Sequence, residues 1–272
     1  YRIRLSDVAG NTTDTTTAYF TTTAPAGILL VDDDEGDNFE TIFQESLTRL
    51  NLGFDTWNVS GRGKPPSGPE LDLYDTVIWN TGFNHTAATA GLTAAEQSSI
   101  SYYLDHAGRL FLSGQDVLFK GVASQFRSNY LKLSAYSNDI LRSAHTEIPV
   151  ANNPISDGLT LNLAVPPGYG SLYVDSLTPL NDATGIFKYQ AANGAFITSV
   201  SYRGDLSQGG FAVVFCTFPF EGVQNSSSPA SQANSLGLAT RDLLLWRILD
   251  YLDGDGTHDV VVESPSPVEL AE

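Results

Sequence analysis

The sequence predicts an α/β domain in which a mainly parallel β-sheet is covered by helices on both faces. Two observations carry this prediction. Short apolar runs, typical of buried strands, alternate along the chain with helical patterns that have one apolar face. Most strands also lead through a helix to the next strand, and such crossovers are right-handed and leave the strands parallel. The 272 residues are enough for one large domain or two ordinary ones.

The predicted elements run from residue 27 to about residue 253. The first apolar run ends at Asp32 and precedes a helix whose apolar residues recur three and four positions apart. Thr93 and Glu96 have the spacing of a capping box, which predicts the start of a second helix that ends before Gly108. We predict strands at 28–32, 54–59, 74–80, 109–114 and 211–217, helices at 39–50, 93–107 and 239–252, and a Gly/Pro loop at 61–69.

The segment between the fourth and fifth of these strands has a different pattern. One or two short helices are predicted within 117–133. Residues 171–174, 185–189 and 195–202 then form short alternating runs, which are typical of antiparallel strands. The whole pattern predicts a flavodoxin-like, three-layer α/β/α fold with a β-rich insertion before its last strand and helix.

The two ends of the chain have patterns of their own. Residues 1–5 and 17–22 alternate around a turn, so we expect an N-terminal β-hairpin. Its sequence, Tyr-x-Ile-x-Leu-x-Asp-x-Ala-Gly-Asn before a Thr-rich strand, resembles the last two strands of a fibronectin type III sandwich. The acidic, unpatterned end is typical of a linker. The predicted division is a hairpin with its linker at 1–25, an α/β domain at 26–254 and a tail at 255–272.

The composition argues against several classes of partner. The net charge is −17 with only 14 Lys and Arg, so we expect neither nucleic acid nor an anionic membrane as a partner. No apolar run is long enough to cross a bilayer. The polar residues are rich in Thr, Ser, Asn and Gly, a bias typical of extracellular or cell-surface proteins. We therefore expect a piece of a longer secreted polypeptide, whose partners are its other domains and a protein or glycan ligand.

Four aspartates lie within six positions at the end of the first strand: Asp32, Asp33, Asp34 and Asp37. In open α/β sheets, ligands bind beyond the carboxyl ends of the strands, so these side chains fall where such folds keep their sites. Carboxylate oxygens suit Ca²⁺ or Mg²⁺, and closely packed acids repel one another unless a cation, hydrogen-bond donors or water relieves them. The alternative is a solvated acidic cap at the helix N-terminus, which needs no cofactor.

Polar residues also end the third and fourth predicted strands, at Asn80 and Ser113. The carboxyl ends of parallel strands meet at one edge of a sheet, so we predict that Asp32, Asn80 and Ser113 lie together there. This edge is the candidate ligand-binding site. Its candidate binding residues are Asp32, Asp33, Asn80, Thr81, Ser113 and Gln115.

Four segments resemble class I glutamine-amidotransferase-like domains, in particular the secreted versions that accompany extracellular bacterial peptidases and sandwich modules. These segments are residues 29–34, 74–82, 108–116 and 218–222. The resemblance implies a Cys nucleophile on the sharp turn after the fourth strand, close to an oxyanion hole. Here that turn reads Ser-Gly-Gln-Asp at 113–116 and contains no Cys.

This departure leaves two hypotheses about function. The first is a non-catalytic amidotransferase-like module that serves as a spacer or binds a ligand or partner. Cys216, the only cysteine, lies in an apolar run, where burial would keep its thiol protonated. The alternative is a hydrolase that uses Ser113, His85 and Asp116 together with the acidic edge, with or without a metal ion. Such an enzyme requires Ser113 or Asp116 within hydrogen-bond reach of His85 or a metal.

Overall fold

The computed structural model describes residues 25–85, 90–119, 121–225 and 238–254, and the backbone of residues 4–6 and 12–14. In chain order its strands and helices are β1 (Arg4–Ser6), β2 (Thr12–Asp14), β3 (Ile28–Asp32), α1 (Glu40–Arg49), β4 (Phe54–Asn58), α2 (Val59–Arg62), α3 (Gly68–Leu71), β5 (Thr76–Gly82), α4 (Ala94–Asp105), β6 (Arg109–Gly114), α5 (Ser124–Asn129), β7 (Leu133–Leu141), β8 (His145–Pro149), β9 (Leu161–Leu163), β10 (Val174–Pro179), β11 (Thr184–Gly185), β12 (Phe187–Ala191), β13 (Gly194–Ile197), β14 (Ser199–Arg203), β15 (Ala212–Cys216) and α6 (Thr240–Asp253).

The largest sheet has seven strands in the order β11-β14-β15-β6-β5-β3-β4. Five of these strands, in the order β15-β6-β5-β3-β4, are parallel to one another. At the other end, β14 runs antiparallel to β15, and β11 runs antiparallel to β14. The prediction of a mainly parallel sheet in an α/β domain is therefore confirmed.

The central strands are buried on both faces, because successive side chains of a strand point to opposite sides. In β3, Ile28 and Leu30 belong to one apolar cluster, and Leu29 and Val31 belong to a second one. Helices α1 and α6 pack into the first cluster, whereas α3 and α4 pack into the second. The helix residues that do so include Phe43, Leu47, Leu245 and Leu249 in the first cluster and Leu71, Ile100, Tyr103 and Leu104 in the second.

Local sequence signals explain where two of the helices begin. The predicted capping box of α4 is present: the Thr93 hydroxyl accepts from the Glu96 N–H at 3.3 Å, and the Glu96 carboxylate accepts from the Thr93 N–H at 2.6 Å. The prediction of a loop over 61–69 is wrong in part, because α2 ends inside it and α3 begins inside it. In α3 the Glu70 carboxylate accepts from the Ser67 N–H at 2.7 Å, and a Pro in the first helical turn loses no hydrogen bond.

The insertion between β6 and β15 is largely antiparallel, as predicted. β7 pairs with β10, and a four-stranded antiparallel sheet has the order β13-β12-β8-β9. Helix α5 falls inside the segment where short helices were predicted, but β7 has no counterpart among the predicted strands. Apolar residues of the insertion complete the first cluster, among them Leu161, Val174 and Phe187.

The N-terminal hairpin is present in the backbone of the two strands that the structure describes. β1 and β2 are antiparallel, with Leu5 opposite Thr13. The second alternating run predicted at 17–22 and the tail predicted at 255–272 lie outside the described residues.

One buried polar pair lies inside the insertion. The Nε2 atom of His145 is 2.7 Å from the Glu147 carboxylate, and the two side chains are 4% and 0% exposed. The second carboxylate oxygen of Glu147 accepts a hydrogen bond from the Thr198 hydroxyl at 2.6 Å. The pair therefore joins β8 to the segment that leads into β14.

We predict that His145→Ala lowers the free energy of unfolding by about 3 kcal/mol, because it leaves the buried Glu147 without its main partner. Urea denaturation followed by circular dichroism measures this change. The matched control is Glu45→Ala, which removes an exposed partner of Arg49 and should cost no more than about 0.5 kcal/mol. Equal urea midpoints for the two variants would contradict the prediction.

Candidate functional site

The carboxyl ends of the parallel strands meet at one edge, which we call the carboxyl edge. Asp32 is in register with Asn58 on one side and Asn80 on the other, and Asn80 is in register with Ser113. Ser113 is in turn opposite Cys216. The predicted alignment of Asp32, Asn80 and Ser113 is therefore confirmed.

Ser113 joins two parts of the backbone at this edge. Its hydroxyl donates to the Phe218 carbonyl at 3.1 Å and accepts from the Phe220 N–H at 2.8 Å, and the residue is fully buried. His85 is exposed, with Nδ1 3.0 Å from the Phe83 carbonyl and its ring stacked on Tyr173. The hydrogen bonds of these two side chains are thus made to the backbone and not to each other.

Two further candidate binding residues are also buried. The Gln115 amide donates to the Phe83 carbonyl at 2.7 Å and accepts from the Tyr173 N–H at 3.0 Å, so it holds the turn against the insertion. The Thr81 hydroxyl has no hydrogen-bond partner among the described residues.

Asp32, Asp34 and Glu40 form a group of carboxylates in which one oxygen from each lies within 4.8 Å of the others. Backbone N–H groups of Gly36 and Phe39 donate to the two Asp34 oxygens at 3.0 and 3.2 Å. The Asn58 amide donates to Asp32 Oδ2. One oxygen each of Asp32 and Glu40 remains buried without a partner among the described residues.

Glycine is required where β5 passes this group. A Cβ atom at Gly82 would stand 2.9 Å from the Asp34 Cβ, and the backbone there has a φ of +58°. The close approach of the two segments places the end of β5 directly against Asp34.

The other two predicted metal ligands, Asp33 and Asp37, do not belong to this group. The Asp33 carboxylate accepts from Trp79 Nε1 at 2.9 Å, and Trp79 belongs to the second apolar cluster. Alternation along the chain explains this, because neighbours of an extended segment point to opposite faces. The Asp37 carboxylate instead interacts with Tyr169. Burial raises the pKa of Tyr169 to about 12, and the hydrogen bond and charge of Asp37 act in the same direction.

Glu221 is a site residue that the sequence analysis did not single out. It lies in the short 3₁₀ turn after β15 and is 3% exposed, and neither carboxylate oxygen has a hydrogen-bond partner among the described residues. Asn80 is its neighbour, and the Asn80 amide nitrogen is also unpartnered. The nearby Arg241 guanidinium donates to the main-chain carbonyls of Glu221 and Val223. The position of Glu221 shortly after a predicted strand was the feature of the sequence that could have identified it.

Burial makes these carboxyl groups hard to ionise. Burial raises the pKa of Asp34 to about 8, and the charge of Asp32 acts in the same direction. Burial likewise raises the pKa of Asp32 against hydrogen bonds from Asp34 and Asn58 that lower it. Burial also raises the pKa of Glu221 to about 8. Near neutral pH Asp34 and Glu221 therefore retain their protons unless a positive charge takes their place.

A second group of carboxylates connects the turn after β6 to the insertion. One oxygen each of Asp116, Asp139 and Asp175 lies within 4.8 Å of the others. Burial, followed by the charges of Asp139 and Asp175, raises the pKa of Asp116 to about 7. Unlike the group at the carboxyl edge, this one includes an ion pair, in which Arg142 contacts Asp139 at 2.7 Å.

Comparison with models of known protein families and with curated proteins finds no match to this chain. The resemblance to amidotransferase-like and fibronectin type III domains therefore stays a prediction. Among the residues described, no helix combines the length and apolarity that a membrane span requires.

We predict that Glu221→Gln stabilises the domain more at pH 9 than at pH 5 when no divalent cation is present. The folded-state pKa of Glu221 is about 8, above its ordinary value of 4.5. Its contribution to stability is fully present below the ordinary value and is lost as the pH rises through the folded value. The variant has no carboxyl group at this position, so it does not lose this stability. Its Tm minus the Tm of the wild type should therefore increase from pH 5 to pH 9.

Thermal denaturation in chelator at each pH measures this difference. Glu45→Gln is the control, because the Glu45 side chain is 66% exposed and its Tm difference should not depend on pH in this way. A Tm difference for Glu221→Gln that shrinks toward pH 9 would contradict the assignment.

Proposed function

We propose that this domain is a non-catalytic binding module with a flavodoxin-like, three-layer architecture similar to that of class I amidotransferase domains. The order of the parallel strands supports the architecture. Numbered along the chain, β4, β3, β5, β6 and β15 follow the sequence 2-1-3-4-5, which is the flavodoxin-like order. In such sheets the ligand lies outside the carboxyl ends of the strands, which is where Asp32, Asn80 and Ser113 lie.

The hydrogen bonds of the buried Ser113 hydroxyl are the observation that carries the non-catalytic part of the proposal. This residue is the last but one of β6, the strand that matches the one before the nucleophile turn of amidotransferases. A serine nucleophile needs a free hydroxyl and a base within reach. The Ser113 hydroxyl is instead buried and bonded to the backbone at Phe218 and Phe220.

Cys216 does not offer a substitute for Ser113 as a nucleophile. Its thiol is buried in β15, and burial raises the thiol pKa far above its usual range, so the reactive thiolate does not form near neutral pH. His85 is exposed and stacked on Tyr173. These contacts favour the binding module over the hydrolase that would use Ser113, His85 and Asp116.

The setting that we propose is a secreted or cell-surface multidomain protein. The composition rich in Thr, Ser, Asn and Gly and the net charge of −17 support it. The domain would act there as a spacer and as a ligand- or partner-binding unit, with the carboxyl edge as its binding surface. Its partners would be other domains of the same polypeptide and a protein or glycan ligand.

We predict that the purified domain releases no ammonia from glutamine, and that Ser113→Ala reduces stability without changing this result. The substitution leaves the buried Phe218 carbonyl and Phe220 N–H without their partner, at a cost of about 1–3 kcal/mol. A coupled ammonia assay and urea denaturation measure the two effects.

Ser60→Ala is the control for stability, because Ser60 is exposed and its replacement should change the unfolding free energy by less than about 0.5 kcal/mol. Glutamine-dependent ammonia release that disappears in Ser113→Ala or in Cys216→Ser would overturn the proposed function.

A further inference from the structure

We propose that the carboxyl edge binds a divalent cation, Ca²⁺ or Mg²⁺, through Asp32, Asp34, Glu40 and Glu221. This inference rests on the proposed binding function, since it names the ligand class of the same site. The ligand set differs from the one that the sequence suggests, because Glu40 and Glu221 replace Asp33 and Asp37.

Glu221 points to a bound ligand independently of the Asp32, Asp34 and Glu40 group. It comes from the other side of the insertion and lies beside the Asn80 amide. Burial raises the pKa of Glu221, the Asn80 amide and the charge of Arg241 lower it, and the charge of Asp32 raises it. Both of its oxygens are buried and have no partner among the described residues. A buried polar group without a partner costs free energy, and a fully buried carboxylate costs most. A cation at this edge would supply the missing partner.

The spacing of the oxygens suits such an ion. Ca²⁺ binds oxygen ligands at about 2.3–2.6 Å and Mg²⁺ at about 2.0–2.1 Å, so ligands on opposite sides of the ion stand roughly 4–5 Å apart. One oxygen each of Asp32, Asp34 and Glu40 lies within 4.8 Å of the others. Asn58 fixes the Asp32 carboxylate, and two backbone N–H groups fix Asp34, as outer hydrogen bonds do around bound metals.

The charge of Arg241 lowers the pKa of Glu221, but the two side chains form no ion pair in the described part of the chain. None of the four carboxylates takes part in an ion pair there, and Arg241 directs its guanidinium to main-chain oxygens. At Asp116, Asp139 and Asp175, by contrast, Arg142 already provides a positive charge. The carboxyl edge therefore lacks the ion pair that the second group has.

Thermal denaturation and isothermal titration calorimetry of the full chain test the proposal, with CaCl₂ or MgCl₂ alone as the probe and chelator as the reference. At about a hundred times the Kd, we expect the Tm of the wild type to rise by roughly 5–10 °C. The two salts distinguish the ions, since Mg²⁺ demands a smaller and more regular site than Ca²⁺.

Glu221→Gln identifies the site. It should weaken cation binding by about tenfold or more, because it removes a charged ligand. In chelator the same variant should have a higher Tm than the wild type, because it removes a buried acid that lacks a partner. A residue with only a structural role would not produce this opposite pair of effects.

Asp139→Asn is the matched control, since it alters the second group of carboxylates and leaves the carboxyl edge intact. It should keep the wild-type response to the cation. The proposal is overturned if neither salt at millimolar concentration changes Tm or produces binding heat, or if Asp139→Asn abolishes the response while Glu221→Gln retains it. These outcomes leave the non-catalytic function intact, because that function fails only if glutamine is hydrolysed.

Discussion

Packing on both faces of the parallel strands determines where polar chemistry can occur in this domain. β3 has four apolar residues before Asp32 because each of those positions faces packed side chains. A polar side chain in their place would lose its water without gaining a partner. In the central strands β3, β5, β6 and β15, polar groups are therefore confined to the strand ends, and the parallel register brings the carboxyl ends to one edge. The buried acids, the Ser113 hydrogen bonds and the Asn80 amide all follow from this arrangement.

Much of the fold could be predicted because local signals and tertiary packing agree. The apolar runs that give β3, β5, β6 and β15 are short and bounded, and Thr93 with Glu96 marks the start of α4 without ambiguity. β7 gave no such signal. Its central residues are mostly exposed or half-buried, so its pairing with β10 decides its conformation more than its own pattern does.

The candidate site was predictable only for residues whose position follows from the end of one strand. Asp32, Asn80 and Ser113 each end an apolar run, so their alignment follows from parallel pairing alone. Asp33 is next to Asp32 in the sequence, but its carboxylate accepts from Trp79 on the opposite face, because neighbours in an extended segment alternate. Glu221 follows β15, which is the last strand of the sheet in chain order. Its approach to Asn80 depends on where the whole insertion returns the chain, which no short segment encodes.

The position of the insertion also has a consequence for the order in which the chain folds. The hydrogen bond from Ser113 to Phe218 joins residues 105 positions apart, whereas β3, β5 and β6 are connected through much shorter segments. Closing a long loop costs entropy before its contacts form, and contacts between distant residues slow folding. We therefore expect the first half of the sheet to form early and β15 to dock late. Glu221 arrives with that last strand, so the carboxyl edge would be the final part of the domain to become native.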